Sequence, residues 1–154
     1  MEFKLETLPR YRIAYARHAG PYGPDNVHTM EQIKTWAEAN RLLNPSAILF
    51  GIPQDNPRTT PPENCRYDAC IVISTDEDVR VEAPIRIGEI AGGDYMVLTI
   101  KHTAQDLQLA WAELLPMLHT MGYQIEDKPM MERYTGEMIR NESCEICVPI
   151  KMLQ

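Results

Sequence analysis

No apolar run in these 154 residues approaches the roughly 20 that a membrane-spanning helix needs, which predicts that the chain does not enter a membrane. Residues 1–6, Met-Glu-Phe-Lys-Leu-Glu, lack the basic start and apolar stretch of a secretory signal, so a cytoplasmic protein is expected. Lysine and arginine never form a run of three, and the net charge is −7. A nucleic-acid-binding surface needs a basic footprint, so direct nucleic-acid binding is not expected. The acidic balance favours cationic partners instead. No Gly-rich phosphate loop and no His-Glu-x-x-His pattern occurs. His18, His28, His102 and His119 are scattered along the chain, with no nucleophile–base pairing beside them.

Four cysteines are present, and their spacing argues against a shared metal or redox role. Cys144 and Cys147 are three apart on a strand-like segment, and Cys65 and Cys70 are five apart. Both separations are odd, so each pair falls on opposite faces of a regular strand. A redox Cys-x-x-Cys sits at a helix N-terminus, and nothing after Cys147 has a helical pattern. No metal, no disulfide and no cofactor are expected.

What the chain does contain is 44% hydrophobic residues, enough for a sizeable core. Residues 143–151, Ser-Cys-Glu-Ile-Cys-Val-Pro-Ile-Lys, form the clearest strand. Residues two apart in a strand share a face. Cys144, Ile146, Val148 and Ile150 therefore line one face; Glu145, Cys147, Pro149 and Lys151 line the other. An acid set among apolar residues is costly to bury alone. Glu145 must be exposed, paired within the fold, or held for a cationic ligand.

Alternation of apolar and polar residues marks further strands over 3–8, 11–18, 47–52, 67–74, 85–90, 95–102 and 130–135. A helix is expected from Asp25 or Asn26 to about Asn40, with Met30, Ile33, Trp36 and Ala37 at helical spacing. A second is expected over 104–121, with Leu107, Trp111, Leu114, Leu115 and Leu118 on its apolar face, Pro116 loosening it and Gly122 ending it.

The order strand, strand, helix, strand, strand is given twice, predicting one domain over 1–154 made of two halves, about 1–78 and 79–154. Asp68-Ala-Cys-Ile-Val-Ile73 overlays Glu145-Ile-Cys-Val-Pro-Ile150 at an offset of 77. Asp68 is thereby the counterpart of Glu145. Each half has one helix and one apolar sheet face, so the two bury themselves by packing together as an α+β body. A pocket is expected where they meet.

Ala14-Tyr-Ala-Arg-His-Ala-Gly-Pro-Tyr22, Gly51-Ile-Pro-Gln-Asp-Asn-Pro57, Arg66-Tyr-Asp-Ala-Cys-Ile71, Gly92-Gly-Asp-Tyr95, Pro129-Met-Met-Glu-Arg-Tyr134 and Glu145-Ile-Cys-Val-Pro-Ile150 follow one another in an order that resembles the GyrI-like superfamily. These effector-binding domains occur alone and fused to AraC-type and MerR-type regulators. The resemblance implies tandem β-α-β-β units, antiparallel sheets, two long helices and a central groove for lipophilic, often cationic, small molecules. It implies a pocket role for Glu145, with Trp111, Tyr95 and Tyr134 lining that pocket. Asp68 enters the candidate set as the repeat partner. Glu132 is either a rim acid or solvated, and Met30, Met117 and Met121 either form an adaptable wall or fill the core. A drug-sensing or sequestering module is the leading expectation. Two others stand beside it: a hydrolase of strained cyclopropanoid electrophiles with Glu145 as general base, and an interaction protein that inhibits gyrase.

Overall fold

The computed structural model describes the backbone of residues 2–76, 79–101, 104–136, 138 and 143–153; the side chains of Glu2, Ala104, Leu107, Gln108 and Trp111 lie outside that description. Along the chain run β1 (Glu2–Leu8), β2 (Tyr11–Ala19), α1 (Pro24–Ala39), β3 (Ile48–Pro53), β4 (Arg66–Ile73), β5 (Arg86–Ile90), β6 (Gly93–Lys101), α2 (Ala104–Thr120), β7 (Tyr123–Ile125), β8 (Met131–Thr135) and β9 (Ser143–Met152). The class is α+β, as expected. The short β7 carries no alternation long enough to read, and it forms by pairing Tyr123–Ile125 with the end of β9. No described helix is long and apolar enough to cross a membrane.

The strands pair antiparallel in the order β1-β6-β9-β8-β3-β4-β2-β5. The order β2-α1-β3-β4 recurs as β6-α2-β8-β9, with β7 inserted after the second helix. β4 lies between β2 and β3, and β9 lies between β6 and β8, so Asp68 and Glu145 sit on corresponding strands. The β3–β8 pair joins the two units, with Leu49 opposite Tyr134 and Gly51 opposite Glu132. The halves are interlaced at the sheet edges: β1 adds to β6 and β5 adds to β2.

Both helices cover the same face. Pro24 pre-sets the first turn of α1, and Asn40 closes the helix by donating from its side chain to the Trp36 carbonyl at 2.8 Å. Met30, Ile33 and Ala37 bury one stripe against Ala14, Ala16, Leu49 and Ala69, whose small or aliphatic side chains let the helix lie close. Ala110, Leu114 and Leu118 of α2 repeat every fourth residue and pack on Met96, Leu98, Ile146 and Val148. Pro116 is carried inside this helix, with Thr120 Oγ1 donating back to its carbonyl at 3.0 Å. Tyr134 packs against both helix-side clusters and so marks the seam between them.

The opposite face has its own core. Leu8, Ile13 and Ile90, from strands at the two ends of the order, share a cluster with Phe50, Cys70, Val97 and Cys147. The sheet therefore curls around its helix-free face. Cys144 lies in the helix-side cluster and Cys147 in this one, on opposite faces as their spacing requires.

Candidate functional site

Strand parity decides which side chains meet at the seam. Gly51 of β3 and Glu132 of β8 are directly opposed, so both face the helices; Glu132 is also opposed to Ile146 of the helix-side core. Tyr134, two residues on, shares the face. Tyr67 of β4 lies one strand further, and its ring extends across β3 over Gly51. A Cβ built on Gly51 would stand 3.1 Å from the Tyr67 ring carbon Cζ and closer still to the hydroxyl oxygen. The absence of a side chain at Gly51 thus lets the phenol lie flat along the floor towards Glu132.

Over this floor α1 forms a wall. Asn26, Val27, Met30, Glu31 and Lys34 follow at helical spacing along one stripe and, with Gly23, line a groove of about 550 Å³. Met138 and Ser143 complete it. Two phenols, two thioethers and a valine give an apolar, adaptable lining, and the carboxylate of Glu132 lies among them. The Tyr134 hydroxyl donates a short hydrogen bond to Glu132 Oε2. Burial first, and then the negative field of Glu132, hold the Tyr134 and Tyr67 hydroxyls well above the ordinary tyrosine range. Both are neutral hydrogen-bonding phenols at physiological pH. The described charged groups of the lining are two carboxylates, Glu31 and Glu132, and one ammonium, Lys34.

Of the residues expected from sequence, Tyr134 lines this groove and Glu145 does not. Arg133 and Glu145 are opposed on β8 and β9 and face the helix-free side. Glu145 is 4% exposed. Arg133 Nε donates to its Oε1 at 3.0 Å, and Lys4 Nζ lies 3.4 Å from its Oε2. Arg133 also reaches Glu6, closing a four-residue network of two acids and two bases. Of the three fates open to Glu145, internal pairing is the one the structure takes. Asp68 has the same fate: Arg17 binds both its oxygens at 2.7 and 2.8 Å, and Gln54 donates at 2.9 Å. Tyr95 is 3% exposed on the same helix-free face and borders a separate cavity of about 240 Å³ with Ile52, Met131 and Lys128. Trp111 belongs to α2, and its side chain lies outside the described residues.

Sequence reasoning did not single out Tyr67, Lys34 or Met138. The parity of Tyr134 with Glu132 in Met-Glu-Arg-Tyr-Thr was the readable sign that the two share a face. The contribution of Tyr67 depends on a gap at Gly51 on the neighbouring strand β3, which no local pattern reports.

A model of the GyrI-like small molecule binding domain matches residues 1–151. The SPbeta prophage-derived YosT of Bacillus subtilis (strain 168), whose name proposes a role as a transcriptional regulator, is 40% identical over 152 residues, spanning 98% of this chain and all of that protein. A DNA gyrase inhibitor of Edwardsiella ictaluri (strain 93-146) is 25% identical, over 89% of this chain and 88% of its own length. Among solved structures, the EcmrR C-terminal domain superposes with a TM-score of 0.76 at 17% identity, covering 99% of this chain and 98% of that domain. The chain spans 58% of EcmrR as solved in its complex with DNA. SAV2435 bound to tetraphenylphosphonium superposes with a TM-score of 0.54 at 15% identity, over 98% of this chain and 94% of that one.

Proposed function

This chain belongs to the GyrI-like small-molecule-binding family, and on that premise we propose that it binds lipophilic cationic compounds in the groove between α1 and the β3–β8 seam. The observation that carries this reading is the placement of Glu132 between two phenols and apolar side chains in a groove of about 550 Å³. That volume lies within the range of small-molecule sites. A delocalised cation gains twice there: from the carboxylate, and from the faces of Tyr67 and Tyr134. Met30 and Met138 adjust to ligands of different outline. SAV2435, which shares the fold, is bound to the lipophilic cation tetraphenylphosphonium.

The protein then acts as a sensor or sequestering module for such compounds in a bacterial cell. The experiment is a fluorescence-anisotropy titration with tetramethylrhodamine methyl ester, a flat lipophilic cation, followed by competition with tetraphenylphosphonium. Saturable one-to-one binding that the phosphonium displaces supports the reading. Absence of saturable binding by either cation contradicts it.

A further inference from the structure

Lys34 has no role in a site built only for cations, yet it lies in the groove wall. Its side chain is 25% exposed, whereas that of its partner Glu31 is 63% exposed. Lys34 is thus the less exposed side chain of the pair, and its Nζ stands 3.6 Å from Glu31 Oε1, longer than a direct hydrogen bond. A solvated surface pair of this kind holds its members weakly. Lys34 lies four residues, about one turn, after Met30, so the groove runs along α1 from the uncharged Asn26 and Val27 to the Glu31–Lys34 pair. Its floor carries Glu132. One groove therefore presents the carboxylate of Glu132 on β8 and, on α1, the ammonium of Lys34 beside Glu31, in a lining that also holds Tyr67, Tyr134 and Met30.

We infer that the preferred ligands are lipophilic cations bearing a second, acidic group: amphiphilic zwitterions in which the cationic ring system lies over Tyr67 and Tyr134 beside Glu132 and a carboxylate reaches Lys34. This rests on the groove reading above and narrows its ligand class. A simple cation is repelled by Lys34 and leaves the ammonium to its distant partner Glu31. A zwitterion offers Lys34 a closer acceptor and cancels that repulsion. Lys34 is then the residue that sets ligand specificity, by favouring one charge pattern and disfavouring another.

The test uses one chromophore in two charge states: tetramethylrhodamine, whose free carboxylate makes it zwitterionic, and its methyl ester, which is a cation. Both are titrated into the full chain and into Lys34→Met and Lys34→Arg, with absorbance of the xanthylium band confirming that the dye stays in its open, charged form. The wild type should bind the free acid at least as tightly as the ester. Lys34→Met should weaken the free acid by roughly fivefold and leave the ester unchanged or tighter, and Lys34→Arg should keep the wild-type preference. A wild type that prefers the ester, or a Lys34→Met variant that shifts both dyes equally or neither, overturns the inference while leaving the groove in place. Failure of both dyes to bind the wild type overturns the groove reading and the inference together.

Discussion

Tyr67 lies over Gly51, its ring filling the space that a side chain on β3 would occupy. This is the contact that shapes the groove floor. Gly51→Ala forces the Tyr67 ring off its site, although Tyr67 is only 5% exposed and has little room to move. Overpacking of this kind costs about 1–3 kcal/mol. The expected outcome is a lower urea midpoint, together with weaker binding of tetramethylrhodamine methyl ester. Tyr67→Phe, which removes only the hydroxyl that stands closest to Gly51, should partly restore the stability of Gly51→Ala in the double variant. Purely additive losses would show that the two residues do not meet.

Glu145 and Glu132 should behave in opposite ways. Glu145→Gln weakens a buried pair with Arg133 and removes the charge facing Lys4. Arg133 keeps Glu6, so the loss should be about 1–3 kcal/mol, below the full cost of stranding a buried charge. Binding of the cationic dye should stay within about twofold of the wild type, because Glu145 faces away from the groove. Thermal or urea denaturation alongside the dye titration checks both halves of this expectation.

The same network predicts an acid limb. The hydrogen bond from Arg133, assisted by Lys4, holds the Glu6 carboxyl below its ordinary value of 4.5. A depressed carboxyl contributes stability that is complete above the unfolded-state value and is lost as pH falls through the folded-state value. Stability should therefore be flat near neutrality and decline below about pH 4.5. Glu6→Gln should lose about 1 kcal/mol near pH 7 and show a shallower decline. Urea midpoints across that pH range measure it; a steeper decline in Glu6→Gln would contradict the assignment.

The four cysteines should be silent in the native protein. All are buried. Burial pushes the Cys144 and Cys147 thiols up to about 12. At pH 8 the thiolate fraction is then on the order of one in ten thousand. Ellman's reagent should find no rapidly reacting thiol in folded protein and four after denaturation in guanidinium. A fast-reacting native thiol would contradict the burial of that cysteine.

Much of the fold is legible in the sequence because its signals are periodic. The alternation in 143–151 fixes β9 and sends Cys144 and Cys147 to different cores. The spacing of Met30, Ile33 and Ala37 fixes the buried stripe of α1. The same reasoning separates Glu145 from Ile146 but does not say which face meets the helices. That choice depends on how β8 and β3 join, since their register places Glu132 and Gly51 on the helix side and Arg133 and Phe50 on the other. Of the basic partners of Glu145, Lys4 comes from β1, far away in sequence, and Arg133 from β8, twelve residues before it across a loop, so no spacing rule within β9 pairs them with it. Asp68 and Glu145 match in the repeat, and what they share is a buried acid answered by an arginine.

On the proposed reading Glu132 supplies the charge that holds a lipophilic cation in the groove, and Glu132→Gln removes that charge alone. The amide keeps the size of the side chain and can still accept from Tyr134. Tetramethylrhodamine methyl ester and the neutral dye Nile red are titrated into both proteins by fluorescence anisotropy at fixed ionic strength. A charge-assisted contact shielded from water is worth roughly 1.5–3 kcal/mol, so the cation should bind about ten- to a hundredfold more weakly to Glu132→Gln. Nile red should change little, and the variant should melt as a folded protein. Equal losses for the two dyes, or an unchanged affinity for the cation, would contradict the assignment of Glu132 as the charge partner.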